Sequence, residues 1–353
     1  MSRIQAMANP LRHQVKRIAL TAARGSGALA LLGHLTRKRL RILAYHGAWI
    51  LPEPLYGDKL FMPIAQFRAR MQWLRRSPYR LLGLEQALNE LDRGMLSDNS
   101  VVITIDDGWQ STYSHMLPVL EEFKIPATLY VTTWYVQHAL PVLPKLIEWM
   151  IHRGAQASAP RPSASAVLAA IESRPLAQRM NAVRDFGESL GIDPQRWQGT
   201  GQFELMTPGQ IQDAQRRGLD IQLHTHRHQP LAGNSHRLAG EIAENRRYLQ
   251  GLLPGHRLNH FCYPSGSYDP AAPQVLATAG VRSATLSENG LNDRHSHRYR
   301  LNRLIDGASI SQSLFEAWLA GLSDCFPRRP PGSAADRQYP ASADPLPTLG
   351  RRR

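Results

Sequence analysis

Cysteine is almost absent: Cys262 and Cys325 are the only two in 353 residues. Two cannot build a disulfide framework, and the composition suits a reducing compartment. The N-terminal region also lacks a membrane span. Its uncharged stretch, Gly25 to Thr36, falls well short of the about 20 apolar residues needed to cross a bilayer. Nor does it show an apolar segment followed by a signal cleavage site. A cytoplasmic location is expected, or one at the inner face of the membrane. Acidic residues are scarce, 28 against 42 Lys and Arg, for a net charge of +14. That excess sits at the ends: residues 1–41 hold nine basic residues and no acid, residues 328–353 carry +4, and the body between them is left at +1. A domain that reads phosphate backbones carries a basic face of its own, so no nucleic-acid partner is expected.

The basic N-terminus places Leu11, Val15, Ile18 and Ala22 at helical spacing with Arg12, Lys16 and Arg17 between them. A basic amphipathic arm over residues 1–40 would suit peripheral association with an anionic membrane. Beyond it, strand-like apolar runs alternate with helical periodicity. Strands are expected at 41–45, 101–105, 126–131, 219–223, 258–263 and 281–285. Helices are expected at 63–76, 85–91, 116–123, 237–252 and 271–279, with another between the cap Thr207-Pro208 and Gly218. This alternation implies parallel βα units. Residues 135–205 change character and read as a helical insertion within a domain spanning 41–326. Residues 327–353, rich in Pro and Arg, read as a disordered tail.

The chemistry gathers where strands end. Asp106 and Asp107 follow the apolar run Val101-Val102-Ile103. Adjacent carboxylates at the end of a buried strand lose hydration and repel each other. They persist where a cation neutralises one while the other handles protons, although a plain Asp-Asp-Gly turn gives the same pattern. His224-Thr225-His226-Arg227-His228 follows a second strand. Histidines four apart can face one ion if the segment turns as a helix does. Two imidazoles and one carboxylate leave coordination positions open, as a catalytic site requires. Asp107, His224 and His228 are therefore the expected ligands, with His226 turned elsewhere. Zinc is favoured, and iron, cobalt and nickel suit the same donors. His46 and the turn Tyr263-Pro264-Ser265-Gly266 stand at two further strand ends.

These motifs resemble those of the polysaccharide deacetylase family, the NodB-like metal-dependent amidases of N-acetylated sugars. T-I-D-D-G is similar to the family's T-F-D-D-G with Ile105 in place of Phe. H-T-H-R-H is similar to its His-Ser/Thr-x-x-His. F-C-Y-P-S-G resembles a Phe-x-Tyr-Pro-x-Gly form of its third motif, and L-A-Y-H-G a Tyr-His element that opens many members. The resemblance covers residues 41–305, interrupted by the insertion, and implies an α/β fold: a distorted (β/α)7-type barrel of parallel strands.

It also implies roles. Asp106 would be the general base and Asp107 a ligand. The Ser265 backbone N–H would stabilise an oxyanion, Gly266 would allow close approach, and Thr225 would orient the loop or the substrate. The family's C-terminal Leu-x-His acid has no match, and His46 is the better candidate for the general acid. The usual third-motif Arg and fourth-motif Asp-Trp are missing too, and Arg303 is the candidate substitute for tuning the base. Tyr45, Trp109 and Tyr263 are candidates for a stacking floor beneath a sugar ring, or for ordinary core. His256 and His260 read as structural. The expected activity is removal of acetyl groups from N-acetylhexosamine units of a polysaccharide or lipid-linked glycan. The alternatives are deformylation of a lipid-linked amino sugar, or a catalytically silent glycan-binding relative.

Overall fold

Arg41–Tyr45, the first apolar run after the basic arm, forms strand β1 with every residue buried. It pairs with β5 (Ser100–Ile105) on one side and β10 (Leu304–Ile305) on the other. From β5 the sheet continues through β6 (Ala127–Val131), β7 (Asp220–Leu223), β8 (His260–Cys262) and β9 (Ser283–Thr285), all parallel. A parallel bridge between Thr285 and Leu301 carries β9 towards β10, so these strands curl into a nearly closed barrel. β4 (Arg80–Leu82) adds to β5 outside that ring, and β2 (Ala48–Trp49) pairs with β3 (Met62–Pro63) separately. The coordinates are a computed structural model that describes residues 27–56, 60–154, 162–229, 231, 233 and 235–325.

Both faces of the barrel strands are buried, which is why they read as unbroken apolar runs. Leu43, Tyr45, Val101, Ile103 and Ile105 join the outer core beneath the helices. The alternate set, Ile42, Val102, Tyr130, Cys262 and Leu301, forms a second cluster with Leu84, Leu88 and Leu91 of helix Leu84–Asp92. Side chains two apart share a strand face, so Thr104 and then Asp106 continue the inward line of Val102.

The longer elements follow the periodicity closely: helices Ile64–Arg76, Leu84–Asp92, Ser235–Leu252 and Ala272–Thr278 lie within three residues of expectation. Thr207 caps helix Pro208–Arg216 through a reciprocal capping box with Gln210. Elsewhere the structure departs from the reading. The helix expected at 116–123 opens with a π turn, Thr112–Met116, before Leu117–Glu122. Helices Ala28–Leu35, Trp134–His138 and Gln312–Leu319 were not expected. Between β6 and β7 run helices Leu143–Arg153, Ala164–Glu172 and Leu176–Ser189. The amphipathic segment around Leu11–Ala22 and the tail 327–353 lie outside the described residues. No helix among the described residues is long and apolar enough to cross a membrane.

Candidate metal and catalytic site

The two adjacent carboxylates point in different directions, because Asp107 takes a left-handed backbone (φ 73°) directly after the extended strand. Seven non-glycine residues among those described have positive φ. Asp107, Thr225, His228 and Ser265, four of them, lie in the loops at one rim of the barrel. Strain of this kind persists only where surrounding bonds over-determine it, and it concentrates at functional sites.

Asp107 Oδ1 lies 3.2 Å from His224 Nε2 and 3.2 Å from His228 Nε2. Its Oδ2 accepts a hydrogen bond from Trp109 Nε1 at 2.8 Å. Trp109 is thus tied to this carboxylate through its ring nitrogen. His224 Nδ1 is 2.8 Å from the carbonyl oxygen of Cys262. A carbonyl only accepts, so Nδ1 must carry the proton, and the Nε2 lone pair of a neutral His224 then faces a carboxylate oxygen. Two acceptors at that separation need a cation between them, a proton or a metal ion. Asp107, His224 and His228 have ligand atoms within 4.8 Å of one another, and their oxygen and nitrogen donors suit a divalent metal. Burial works against ionised Asp107, but His228 and the bonds from both imidazoles outweigh it and hold its carboxyl well below the usual range. Burial likewise disfavours protonated His228, yet Asp107 overcomes this and raises its pKa.

Asp106 is held differently. Arg303 Nη1 and Nη2 donate to its two oxygens, both at 2.7 Å, with the guanidinium fully buried. Burial alone would raise the pKa of Asp106, and the Arg303 charge and bidentate bond bring it below the ordinary value. Asp106, His224 and the Cys262 thiol form a second convergent group. Arg303 occupies both Asp106 oxygens there, and a cation would be set against a guanidinium. The Asp107 group is the better metal site.

His46 Nε2 sits 3.7 Å from Asp106 Oδ2. Burial lowers its pKa against the pull of Asp106 and Asp107, which favours neutral imidazole. The third-motif turn spends the N–H groups of Gly266 and Ser267 on Tyr263 and Pro264, so that of Ser265 is not consumed within the turn. A Cβ on Gly266 would come 2.7 Å from the Ser287 backbone nitrogen, so only glycine fits. The Thr225 hydroxyl accepts the His228 N–H at 3.0 Å, bracing the loop.

Two tyrosines read as stacking candidates are core instead. Tyr263 is fully buried between Phe261 and Tyr268, so it offers no face to a substrate. Tyr45 is buried against Phe67, its hydroxyl bonded to Asp306. His226 turns away from the metal group and meets Thr133 Oγ1 through Nδ1 at 2.9 Å. His260 is also buried, between Ser283 and Glu85.

Several supporting residues escaped sequence reasoning. Glu241 Oε2 accepts the N–H groups of His226 and Arg227 at 2.9 and 2.7 Å. Asn245, one turn further along helix Ser235–Leu252, accepts the His224 N–H at 3.0 Å and donates to Val131 O and Thr133 Oγ1. Their only sequence signal is i, i+4 spacing on a helix following the histidine loop. A narrow cavity of about 80 Å³ opens beside Asp107 and His228. Trp109 and Leu205 line it, with Tyr135, Lys145, Leu168 and Glu172 from the segment between β6 and β7.

A family model for polysaccharide deacetylases matches residues 93–160 and 169–284. YxkH of Bacillus subtilis (strain 168), named as a polysaccharide deacetylase, is 21% identical over 286 residues, 80% of this chain and 77% of that one. The poly-β-1,6-N-acetyl-D-glucosamine N-deacetylase of Escherichia coli (strain K12) is 34% identical over 84 residues, 23% of this chain but 12% of that enzyme. The deacetylase PplD of Streptococcus pyogenes shares the fold, with a TM-score of 0.56 and 18% identity over 78% of this chain and 96% of that one. IcaB of Ammonifex degensii does so with a TM-score of 0.54 and 20% identity over 80% and 97%.

Proposed function

Because the chain belongs to the polysaccharide deacetylase family, we propose that it hydrolyses the N-acetyl amide of N-acetylhexosamine units in a glycan polymer, with release of acetate. One observation carries the reading: neighbouring carboxylates are divided between two environments, Asp107 against two imidazoles and Asp106 against a buried guanidinium. That is the separation of ligand from base that metal-assisted hydrolysis needs.

Asp107, His224 and His228 would hold the divalent metal, with zinc the first candidate. When bound, such an ion supplies Lewis-acid polarisation of the amide carbonyl and acidifies water. Asp106, fixed in orientation and ionised by Arg303, takes a proton from the attacking water. That proton crosses to His46, 3.7 Å away in the resting site, and on to the amine nitrogen as its bond to the acetyl carbon breaks. Catalytic hydrogen bonds are often long before substrate arrives. The Ser265 N–H would donate to the developing oxyanion. The cavity of about 80 Å³ suits an acetyl group better than a whole sugar. Its wall between β6 and β7 gives that insertion a part in selecting the acyl group.

The sugar itself is proposed from a relative: the E. coli enzyme is named for poly-β-1,6-N-acetyl-D-glucosamine. Helix Ala28–Leu35 supports peripheral attachment to an anionic membrane. Leu31 and Leu35 on it are 63% and 70% exposed, and Arg37 and Lys38, which follow, both pair with Asp98. Such a helix enters the interface with its apolar face. At the inner leaflet, the anchored helix would lead into the amino end of β1 while the catalytic rim stands at the carboxyl end. That arrangement suits a long polymer better than a sugar held at the bilayer.

Acetate release from an N-acetylglucosamine oligomer tests the reading. Asp106→Asn should lose about 10²–10⁴-fold in kcat while metal content stays at the wild-type level. An Asp106→Asn enzyme of undiminished kcat would refute the assignment.

A further inference from the structure

His226, the middle histidine of the second motif, faces a hollow of about 500 Å³ on the other side of its own loop from the catalytic cleft. The volume falls within the roughly 300–1,000 Å³ of small-molecule sites. Helix Trp134–His138 forms one wall and helix Ser235–Leu252 the other. Half-buried Tyr248 supplies aromatic surface beside Trp134, whose ring packs on His138 and Tyr135 at 4.5 and 4.9 Å between centroids, and Gln137, Glu244 and Arg247 supply planar hydrogen-bonding groups. The side chains of Gln137 and Arg247 have no protein partner among the described residues.

Arg227 belongs to both spaces, lining this hollow and the cleft beside Asp107. Its guanidinium is pinned by Glu241 at 2.8 Å and Glu244 at 3.0 Å, so it stands as a fixed post between them. The same loop that presents His228 to the metal group also receives the N–H of Trp134, which donates to the His226 carbonyl at 2.8 Å. The two spaces are therefore in rigid register.

We propose that this hollow is a distal sugar subsite, holding a pyranose unit of the chain whose N-acetyl group under attack lies in the cleft. The chemistry recognises a sugar. An aromatic ring offers an apolar face to the C–H side of a pyranose, and carboxylate, amide and guanidinium groups match its hydroxyls from the edge. The inference rests on the glycan-deacetylase reading and adds to it a preference for long chains. Binding energy gathered in the hollow would act on chains that reach it and leave a disaccharide unaffected.

Steady-state kinetics of the full chain on β-1,6-linked N-acetylglucosamine oligomers, from disaccharide to hexasaccharide, would test it. Wild type should show KM falling with chain length. Tyr248→Ala should raise KM for the hexasaccharide about tenfold, the loss of one stacking contact of roughly 1.4 kcal/mol, with kcat preserved and disaccharide kinetics unchanged. Those disaccharide kinetics also report that the variant is folded, and Tyr248→Phe should recover most of the hexasaccharide affinity. If Tyr248→Ala keeps the wild-type dependence of KM on chain length, the subsite is overturned and the deacetylase reading stands. If wild type releases no acetate from any oligomer, the function and the subsite resting on it both fall.

Discussion

Arg303 grips both oxygens of Asp106 from 197 positions away in the sequence, each contact 2.7 Å and both side chains buried. The pairing locks one carboxylate in its ionised form and in a single orientation. It also keeps that carboxylate out of the metal group next door.

Replacing this arginine should cost rate and stability together. Arg303→Met leaves a buried carboxylate unpaired, which destabilises by about 3–5 kcal/mol. Arg303→Lys keeps the charge but loses the fork geometry, and should fold with kcat at least tenfold down. Acetate release and thermal unfolding of both variants give the comparison. A lysine variant with wild-type kcat would show that the bidentate clamp is irrelevant to the base.

Glu241 and Asn245 should act on metal affinity rather than on the chemical step. Their bonds to the N–H groups of His224, His226 and Arg227 hold a loop with positive φ at Thr225 and His228. Partners of this kind behind metal ligands are typically worth 10–100-fold in affinity. Chelator competition should show Glu241→Gln and Asn245→Ala binding zinc weaker by about that factor. Unchanged affinity in both would mean the loop keeps its shape without them.

His256 should lend stability on the acid side. Its pKa is raised first by its bond to Asp220, against burial, with help from the Ile221 carbonyl. A raised folded value means the stabilisation is complete below the unfolded pKa of about 6.5 and fades as pH rises through the folded value. Wild type should exceed His256→Gln in Tm by about 1–3 °C at pH 5.5, from a pair worth up to about 1 kcal/mol, and the gap should close by pH 9. A gap that widens with pH would reverse the assignment.

Asp106, Asp107, His224 and His228 were legible because they lie at the ends of strands or in the loops that follow them, and parallel barrels present strand ends to one rim. Their partners were not. Arg303 gains its meaning from a contact across the barrel interior, and nothing beside it in the chain marks that. Glu241 and Asn245 read as ordinary polar positions on a long helix. β8 and β9 have three residues each and β10 has two, so only pairing with neighbours defines them. Tyr263 carries the motif pattern of a substrate residue, yet its ring completes the core between Phe261 and Tyr268. Motif membership fixes the backbone turn there, not the exposure of the side chain.

Metal content of purified protein, measured beside acetate release, tests most directly whether Asp107, His224 and His228 hold one ion with Asp106 standing apart. Wild type and Asp106→Asn should each carry close to one divalent ion per chain, and His224→Ala and His228→Ala should lose it together with activity. Full metal occupancy and activity in His228→Ala, or loss of the ion in Asp106→Asn, would contradict the division of labour between the two carboxylates.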